Sequence, residues 1–211
     1  MGEKGLLIVV SGPSGAGKGT VCQEYLNSNS ETFLSVSMTT RLPRRGEIDG
    51  VDYYFTDIDS FKGLVDEGGF LEYARVYDNY YGTPKNIVRE NLLKGKDVLL
   101  EIDIQGALQV KERFEEGVFI FIVPPTMEEL KNRIVGRGTE TAEELLKRFK
   151  SSYEELNFIT RYNYLVVNDN VKDASDRIKS IIIAEKCRVD RNKNFYRRLR
   201  EGVCDDISFF G

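Results

Sequence analysis

A glycine-rich segment near the N-terminus has the residue types and spacing of a loop that binds phosphate groups. It reads Gly12-Pro13-Ser14-Gly15-Ala16-Gly17-Lys18 and continues with Gly19-Thr20. Glycines let backbone N–H groups turn inward around an anion, and Lys18 adds a full positive charge for the β and γ phosphates of a nucleotide. A short apolar run precedes the segment and a helix-forming stretch follows it. The sequence therefore predicts nucleotide phosphates bound at a helix N-terminus.

The residue after Lys18 departs from the usual pattern of such loops. That position normally carries a hydroxyl that binds Mg²⁺, but here it is Gly19, with Thr20 next. Either Thr20 substitutes, or phosphates and water hold the metal, which is favoured because Mg²⁺ usually keeps several waters. We expect Mg²⁺ as the cofactor, with Thr20 as its candidate protein ligand.

Two arginines flank a proline in Arg41-Leu42-Pro43-Arg44. A guanidinium group can make two parallel hydrogen bonds to a phosphate, so the pair could clamp a phosphate dianion. A solvated loop is the alternative. Tyr53 and Tyr81 follow, and tyrosines are more often packing residues.

Short apolar runs alternate with amphipathic stretches, which is typical of a parallel sheet covered by helices. The runs predict strands at residues 6–10, 33–37, 98–102, 118–123 and 164–167. The amphipathic stretches predict helices at residues 17–27, 105–114, 127–135, 142–156 and 171–187. Residues 39–83 interrupt the alternation and are rich in tyrosine, glycine and charge, which indicates a small inserted antiparallel sheet. Insertions at the carboxyl ends of strands are where α/β folds build ligand sites.

Five motifs occur together and in order: the loop at 12–18, SVSMTTRLPR (35–44), GVDYYF (50–55), NYYGTP (79–84) and GRGTET (136–141). In these motifs the chain resembles the guanylate kinases over residues 5–186. The resemblance implies ATP-dependent phosphorylation of GMP to GDP in a three-layer α/β P-loop NTPase fold. It divides the chain into a core (1–38, 84–126 and 160–190), a GMP-binding insertion (39–83), a helical lid (127–159) and a C-terminal tail (191–211).

The resemblance also assigns residues to roles. The ATP site would be residues 12–20. The GMP phosphate would bind Arg41, Arg44, Tyr53 and Tyr81, and the guanine would bind Ser37, Glu72, Thr83 and Asp103. The residues acting on the transferring phosphates would be Lys18 together with the lid-side arginines Arg133, Arg137 and Arg148.

The chemistry of guanine fits this set. Guanine presents an N1–H and an N2 amine side by side, which a carboxylate such as Glu72 accepts, and an O6 to which the Ser37 hydroxyl can donate. Adenine would leave the carboxylate unpaired, so discrimination of about 10⁴-fold is attainable. Glu101, two residues before Asp103, is expected to point the opposite way from it. It is a candidate for a magnesium-bound water or a structural carboxylate.

Arg133 and Arg137 lie four residues apart, on one face of the predicted helix. Gly136 and Gly138 bracket Arg137 and could act as hinges. Closure of such a lid would exclude water and bring positive charge onto the transferring group. A salt-bridged surface helix is the alternative.

Composition limits the other functions. The 211 residues carry a net charge of −4 and contain no histidine, which excludes His-based nucleophile activation and disfavours a transition-metal site. Phosphoryl transfer needs neither. No apolar run approaches the length of about 20 residues that a membrane span needs, and no secretory signal is evident, so we expect a cytoplasmic protein with ATP and GMP or dGMP as partners. We expect no nucleic-acid binding, although seven basic residues between 186 and 200 could form either a solvated helix face or an RNA contact.

Two rival functions stay open at this stage. Lys18-Gly19-Thr20 looks more like the loop of adenylate kinases, so the acceptor could be another nucleoside monophosphate. Some guanylate-kinase-like domains are peptide-binding modules without catalysis, although these typically have a degraded phosphate loop.

Overall fold

The computed structural model describes residues 4–76, 78–135 and 142–207. In chain order the elements are β1 (Leu7–Ser11), α1 (Lys18–Ser28), β2 (Phe33–Leu34), β3 (Met38–Thr39), β4 (Tyr54–Phe55), α2 (Ile58–Asp66), β5 (Phe70–Val76), β6 (Asn79–Pro84), α3 (Lys85–Leu93), β7 (Val98–Glu101), α4 (Ile104–Arg113), β8 (Val118–Val123), α5 (Met127–Val135), α6 (Ala142–Glu155), a 3-10 helix (Leu156–Arg161), β9 (Tyr164–Val167), α7 (Val171–Lys186) and α8 (Lys193–Ile207).

A five-stranded parallel sheet in the order β2-β7-β1-β8-β9 forms the centre of the molecule. Successive residues of β1 pack into the hydrophobic cores on opposite faces of the sheet. Ile8 and Val10 pack with α1 and α7 on one face, whereas Leu7 and Val9 pack with α3 and α4 on the other. Both faces are therefore covered, which explains why these strands read as continuous apolar runs. The predicted three-layer α/β fold is confirmed.

A second sheet, in the order β4-β3-β6-β5, lies within the predicted insertion. Strands β3, β6 and β5 pair antiparallel as predicted, but β3 and β4 pair in parallel. Parallel partners need a connection of about a dozen residues or more, and residues 40–53 supply it. The prediction of a wholly antiparallel sheet was wrong because the tyrosine-rich pattern carries no information about strand direction.

Side-chain caps define where several helices begin. Asp57 accepts from Ser60 N at the start of α2, Asp103 from Gly106 N at the start of α4, and Asn170 from Lys172 N and Asp173 N at the start of α7. By contrast, Gly17 at the start of α1 makes no side-chain cap. The first amides of α1 thus have no capping side chain, as a phosphate-binding helix requires.

The tail forms helix α8, whose described side chains at residues 193–201 are exposed. None of the described helices is both long and apolar enough to cross a membrane.

Candidate functional site

The glycines of the phosphate loop are required by the close approach of neighbouring strands. Gly12 has φ +147°, and a Cβ there would lie 2.1 Å from the carbonyl oxygen of Ile122 in β8. Gly17 has φ +85°, and a Cβ there would lie 2.5 Å from Nδ2 of Asn168. The backbone of β8 therefore closes position 12 to any side chain, whereas a side chain at position 17 would be strained by the positive φ and crowded by Asn168.

Lys18 folds back over this loop. Its Nζ donates to the carbonyl oxygens of Gly12 at 2.6 Å and Pro13 at 3.2 Å. Burial lowers the pKa of Lys18, while the nearby carboxylates of Glu101 and Glu155 act in the opposite direction. The ammonium group is thus a desolvated positive charge at the mouth of the loop, where its effect on a phosphate is larger than in water.

Glu101 faces the start of α1. A Cβ placed on Gly19 would lie 3.3 Å from Oε1 of Glu101. Strand β7 ends at Glu101, and the carboxylates of Glu101 and Asp103 line the same cavity. The expectation that they point in opposite directions was wrong, because strand alternation places residues two apart on the same face. Thr20, the candidate metal ligand, is exposed.

A cavity of about 340 Å³ lies between the central sheet and the inserted sheet. It is lined by five of the predicted guanine and phosphate residues, together with Glu101 and three apolar side chains, Ala74, Val76 and Ile102. The five predicted residues are Ser37, Tyr53, Glu72, Tyr81 and Asp103. The fold brings them together from segments that are far apart in sequence.

Glu72 is the buried charge of this cavity, with 6% of its surface exposed. Burial raises the pKa of Glu72 to about 7, against the hydrogen bond that Thr83 Oγ1 donates to Oε1 at 2.6 Å. Thr83 is buried behind the carboxylate and orients it. Oδ1 of Asp103 accepts a hydrogen bond from Gly106 N at 2.7 Å. Gly106 makes room for Glu72, since a Cβ there would lie 2.8 Å from Oε2.

The arginine clamp is arranged around a carboxylate that the sequence reasoning missed. Nη1 and Nη2 of Arg41 donate to the two oxygens of Glu47 at 2.9 and 2.8 Å. Arg44 N donates to Glu47 as well, at 2.7 Å, while the Arg44 side chain is exposed. The guanidinium of Arg41 lies 5.4 Å from the ring centroid of Tyr53. Glu47 raises the pKa of Arg41, so this group stays charged.

Arg133 joins the lid-side helix α5 to the phosphate loop. Its Nε makes a salt bridge with Oε1 of Glu129 at 2.7 Å, as a salt-bridged surface helix would. It also donates to the carbonyl oxygens of Ala16 at 3.3 Å and Asn168 at 3.1 Å. Asn168, missed in the sequence, donates to Ala16 at 2.8 Å. Its position directly after an apolar strand was the signal that could have identified it.

Arg148, in α6, donates to the hydroxyl of Ser14 at 3.1 Å. The third predicted lid arginine, Arg137, lies outside the described residues, as do the glycines beside it. Two of the three predicted cations therefore contact the phosphate loop directly.

Comparisons with known proteins point to one family. The family model described as "Guanylate kinase" matches residues 4–185. The guanylate kinase of Caldanaerobacter subterraneus subsp. tengcongensis is 61% identical over 199 residues, which cover 94% of this chain and 97% of the relative. The guanylate kinase of Clostridium tetani is 64% identical over 201 residues, which cover 95% and 96%. A crystal structure of guanylate kinase from Anaplasma phagocytophilum matches with a TM-score of 0.73 and 36% identity, covering 90% of each chain.

Proposed function

The chain belongs to the guanylate kinase family. We propose that its phosphate loop binds the phosphoryl donor and that the cavity next to the inserted sheet binds the phosphoryl acceptor. The chain is an ATP-using kinase that converts GMP to GDP. In the proposed arrangement, residues 12–20 bind ATP and the cavity beneath the inserted sheet binds GMP. The observation that carries this assignment is the buried carboxylate of Glu72, oriented by Thr83 and facing a cavity large enough for a nucleotide base.

The acceptor half would recognise guanine by its hydrogen-bonding edge. Glu72 would accept from N1–H and N2–H, and Ser37 would donate to O6. Arg41, with Tyr53 and Tyr81 beside it, would bind the GMP phosphate. Glu47 now occupies the guanidinium fork of Arg41, so the phosphate would have to share or displace this carboxylate. Arg44 would join from its exposed loop.

The donor half would act by position and charge. The acceptor phosphate is already an anion near neutral pH, so no strong general base is required. A phosphate oxygen of GMP would attack the γ-phosphorus of ATP in line, the bond from this phosphorus to the β,γ-bridging oxygen would break, and ADP would leave with that oxygen. Lys18, Arg133 and Arg148 would stabilise the transferring group. Arg137 is proposed for the same role on the resemblance alone. The domain bounds proposed from the sequence, the cytoplasmic location and the absence of nucleic-acid partners stay predictions.

Mg²⁺ is proposed as the cofactor, and the residues present fit it. The space that a side chain at position 19 would fill lies against Oε1 of Glu101, and carboxylate oxygen is a ligand that Mg²⁺ prefers. Glu101 would hold the metal, directly or through water, in place of the missing hydroxyl, and Thr20 is the weaker candidate. When bound, Mg²⁺ neutralises charge on the β and γ phosphates.

Replacing Glu101 with glutamine tests this role. The Glu101→Gln variant is expected to need about tenfold more Mg²⁺ for half-maximal turnover, because one charged ligand is lost. Mn²⁺ binding to the ATP complex, followed by electron paramagnetic resonance, should weaken in parallel. Glu112→Gln, at an exposed position of α4, is the matched control. A Glu101→Gln variant with the Mg²⁺ and Mn²⁺ requirements of the parent chain would rule out the assignment.

The acceptor specificity tests the proposed function as a whole. ADP formation from Mg·ATP would be followed with GMP, dGMP, AMP, CMP and UMP in parallel. We expect GMP to be the preferred acceptor, with kcat/KM about 10⁴-fold above that for AMP. Preference for AMP would leave the phosphate loop in place but overturn the assignment of the cavity. Binding of GMP by folded protein without turnover would instead favour a binding module.

A further inference from the structure

The tip of the phosphate loop is held by one helix. Ser14 lies in the turn closed by the hydrogen bond from Ala16 N to Pro13 O at 3.1 Å. Each of its polar groups bonds to α6. The hydroxyl accepts from Arg148 Nη2 at 3.1 Å, the carbonyl accepts from Ser152 Oγ at 3.2 Å, and the N–H donates to Glu155 Oε2 at 3.1 Å.

The three partners of Ser14 share one face of α6. Positions 148, 152 and 155 are separated by four and three residues, which places their side chains in a row along the helix. Ser152 is fully buried in this contact. The face is therefore built against the loop rather than exposed to solvent, although the segments it joins are more than 130 residues apart in sequence.

Helix α5 holds the same tip from another direction. A Cβ on Gly15 would lie 3.0 Å from Cγ1 of Ile134 and 3.1 Å from Cδ1 of Leu130. Both helices of the predicted lid region thus rest on adjacent residues of the phosphate loop. Any displacement of α6 that breaks its contact with Ser14 also moves Arg148 away from the loop.

We propose that Ser14 is a positioning residue for phosphoryl transfer, which acts by holding the guanidinium of Arg148 beside the phosphate loop. The hydroxyl supplies the contact with Arg148, while Ser152 and Glu155 fix the peptide groups of Ser14 so that the hydroxyl faces α6. This inference rests on the proposed function. It adds that the phosphate loop, besides binding ATP, orients a lid-side cation through the side chain of Ser14.

The Ser14→Ala variant tests the inference because it removes only the hydroxyl. The bonds of the Ser14 backbone to Ser152 and Glu155 remain, so the loop keeps its shape. We expect kcat to fall about tenfold, the size of one hydrogen bond to a charged group. KM for GMP should stay within about twofold of the parent value, because the acceptor cavity is lined by other residues.

A double-mutant cycle with Arg148→Ala separates positioning from a general structural role. If Ser14 acts through Arg148, Ser14→Ala should cost less than about twofold in kcat once Arg148 is already absent. A full, additive tenfold loss in that background would overturn the proposal. So would a Ser14→Ala variant with unchanged kcat in the parent background.

A second pair of variants covers the case in which Ser14→Ala fails to fold. Ser152→Ala removes the bond to the Ser14 carbonyl, whereas Ser151→Ala changes an exposed neighbour on the same helix. We expect a loss of about threefold in kcat for the first and none for the second. Equal activity of the two would contradict the proposal. Absence of GDP formation by the parent chain would instead refute the proposed function, so the two failures are distinguishable.

Discussion

Replacing Lys18 with alanine is expected to lower kcat by about 10³-fold while the protein stays folded, as for removal of a group that stabilises transition-state charge. Lys18 is a half-buried charged group at the mouth of the loop, and desolvation lowers its pKa. Its removal takes away positive charge from the site of the transferring phosphoryl group but relieves a desolvation cost. The fold should therefore not depend on it.

Single-turnover kinetics with GMP in excess would measure the chemical step directly, and thermal unfolding would establish that the variant is folded. Lys172→Ala is the matched control, because Lys172 is an exposed lysine in the first turn of another helix, α7. Activity within about twofold of the parent chain in the Lys18 variant would exclude the proposed role of the loop.

Glu72→Gln is expected to lower kcat/KM for GMP by about 10² to 10³-fold, because the charged acceptor for two guanine donors is replaced by one neutral oxygen. The value for AMP should change little, so the preference for GMP should collapse. Glu67→Gln, at an exposed position in the same insertion, is the control. Unchanged preference for GMP in the Glu72 variant would show that guanine is recognised elsewhere.

The same variant should remove a pH dependence from GMP binding. Burial raises the pKa of Glu72 to about 7, and only the ionised form accepts from guanine. In the parent chain KM for GMP should therefore rise about tenfold per unit as the pH falls below 7. In the Glu72→Gln variant this rise should be absent. Parallel profiles for the two proteins would contradict the assignment.

Stability should change in the opposite sense to affinity. A pKa that is higher in the folded than in the unfolded chain means that stability is fully present below pH 4.5 and is lost as the pH rises through 7. At pH 8 the glutamine variant should therefore be more stable than the parent, by up to about 3 kcal/mol. At pH 4.5 the two should unfold alike. The protein would thus keep a destabilising carboxylate in the cavity proposed to discriminate its acceptor.

The central sheet could be predicted because local patterns determine it. β8 and β9 agree with the predicted residues, as does α5, since each is a continuous apolar or amphipathic run ended by a clear stop signal. β2 was predicted too long, because the run at 33–37 leaves the sheet after Leu34 to enter the insertion. Helix α2 was missed within residues 39–83, whose composition suggested strands alone, and α3 was missed directly after them.

The chemistry of the site could be predicted in type but not in arrangement. The motifs identified Glu72 and Arg41, yet the partner of each was out of reach of the sequence. Thr83, on the neighbouring strand β6, orients the carboxylate of Glu72. Glu47, in an irregular loop, accepts hydrogen bonds from the guanidinium of Arg41. The bonds between Ser14 and α6 join segments 134–141 residues apart. No periodicity encodes such contacts, because they depend on how the helices pack.

The space shared by Gly106 and Glu72 has a consequence for engineering this cavity. Helix α4 approaches the carboxylate so closely that the missing side chain at 106 and the long one at 72 fill a single volume. A redesign toward a base without the N1–H and N2–H donors would shorten residue 72 and leave a void that alanine at 106 would fill. Libraries that vary either position alone would miss such solutions, so the two codons should be randomised together.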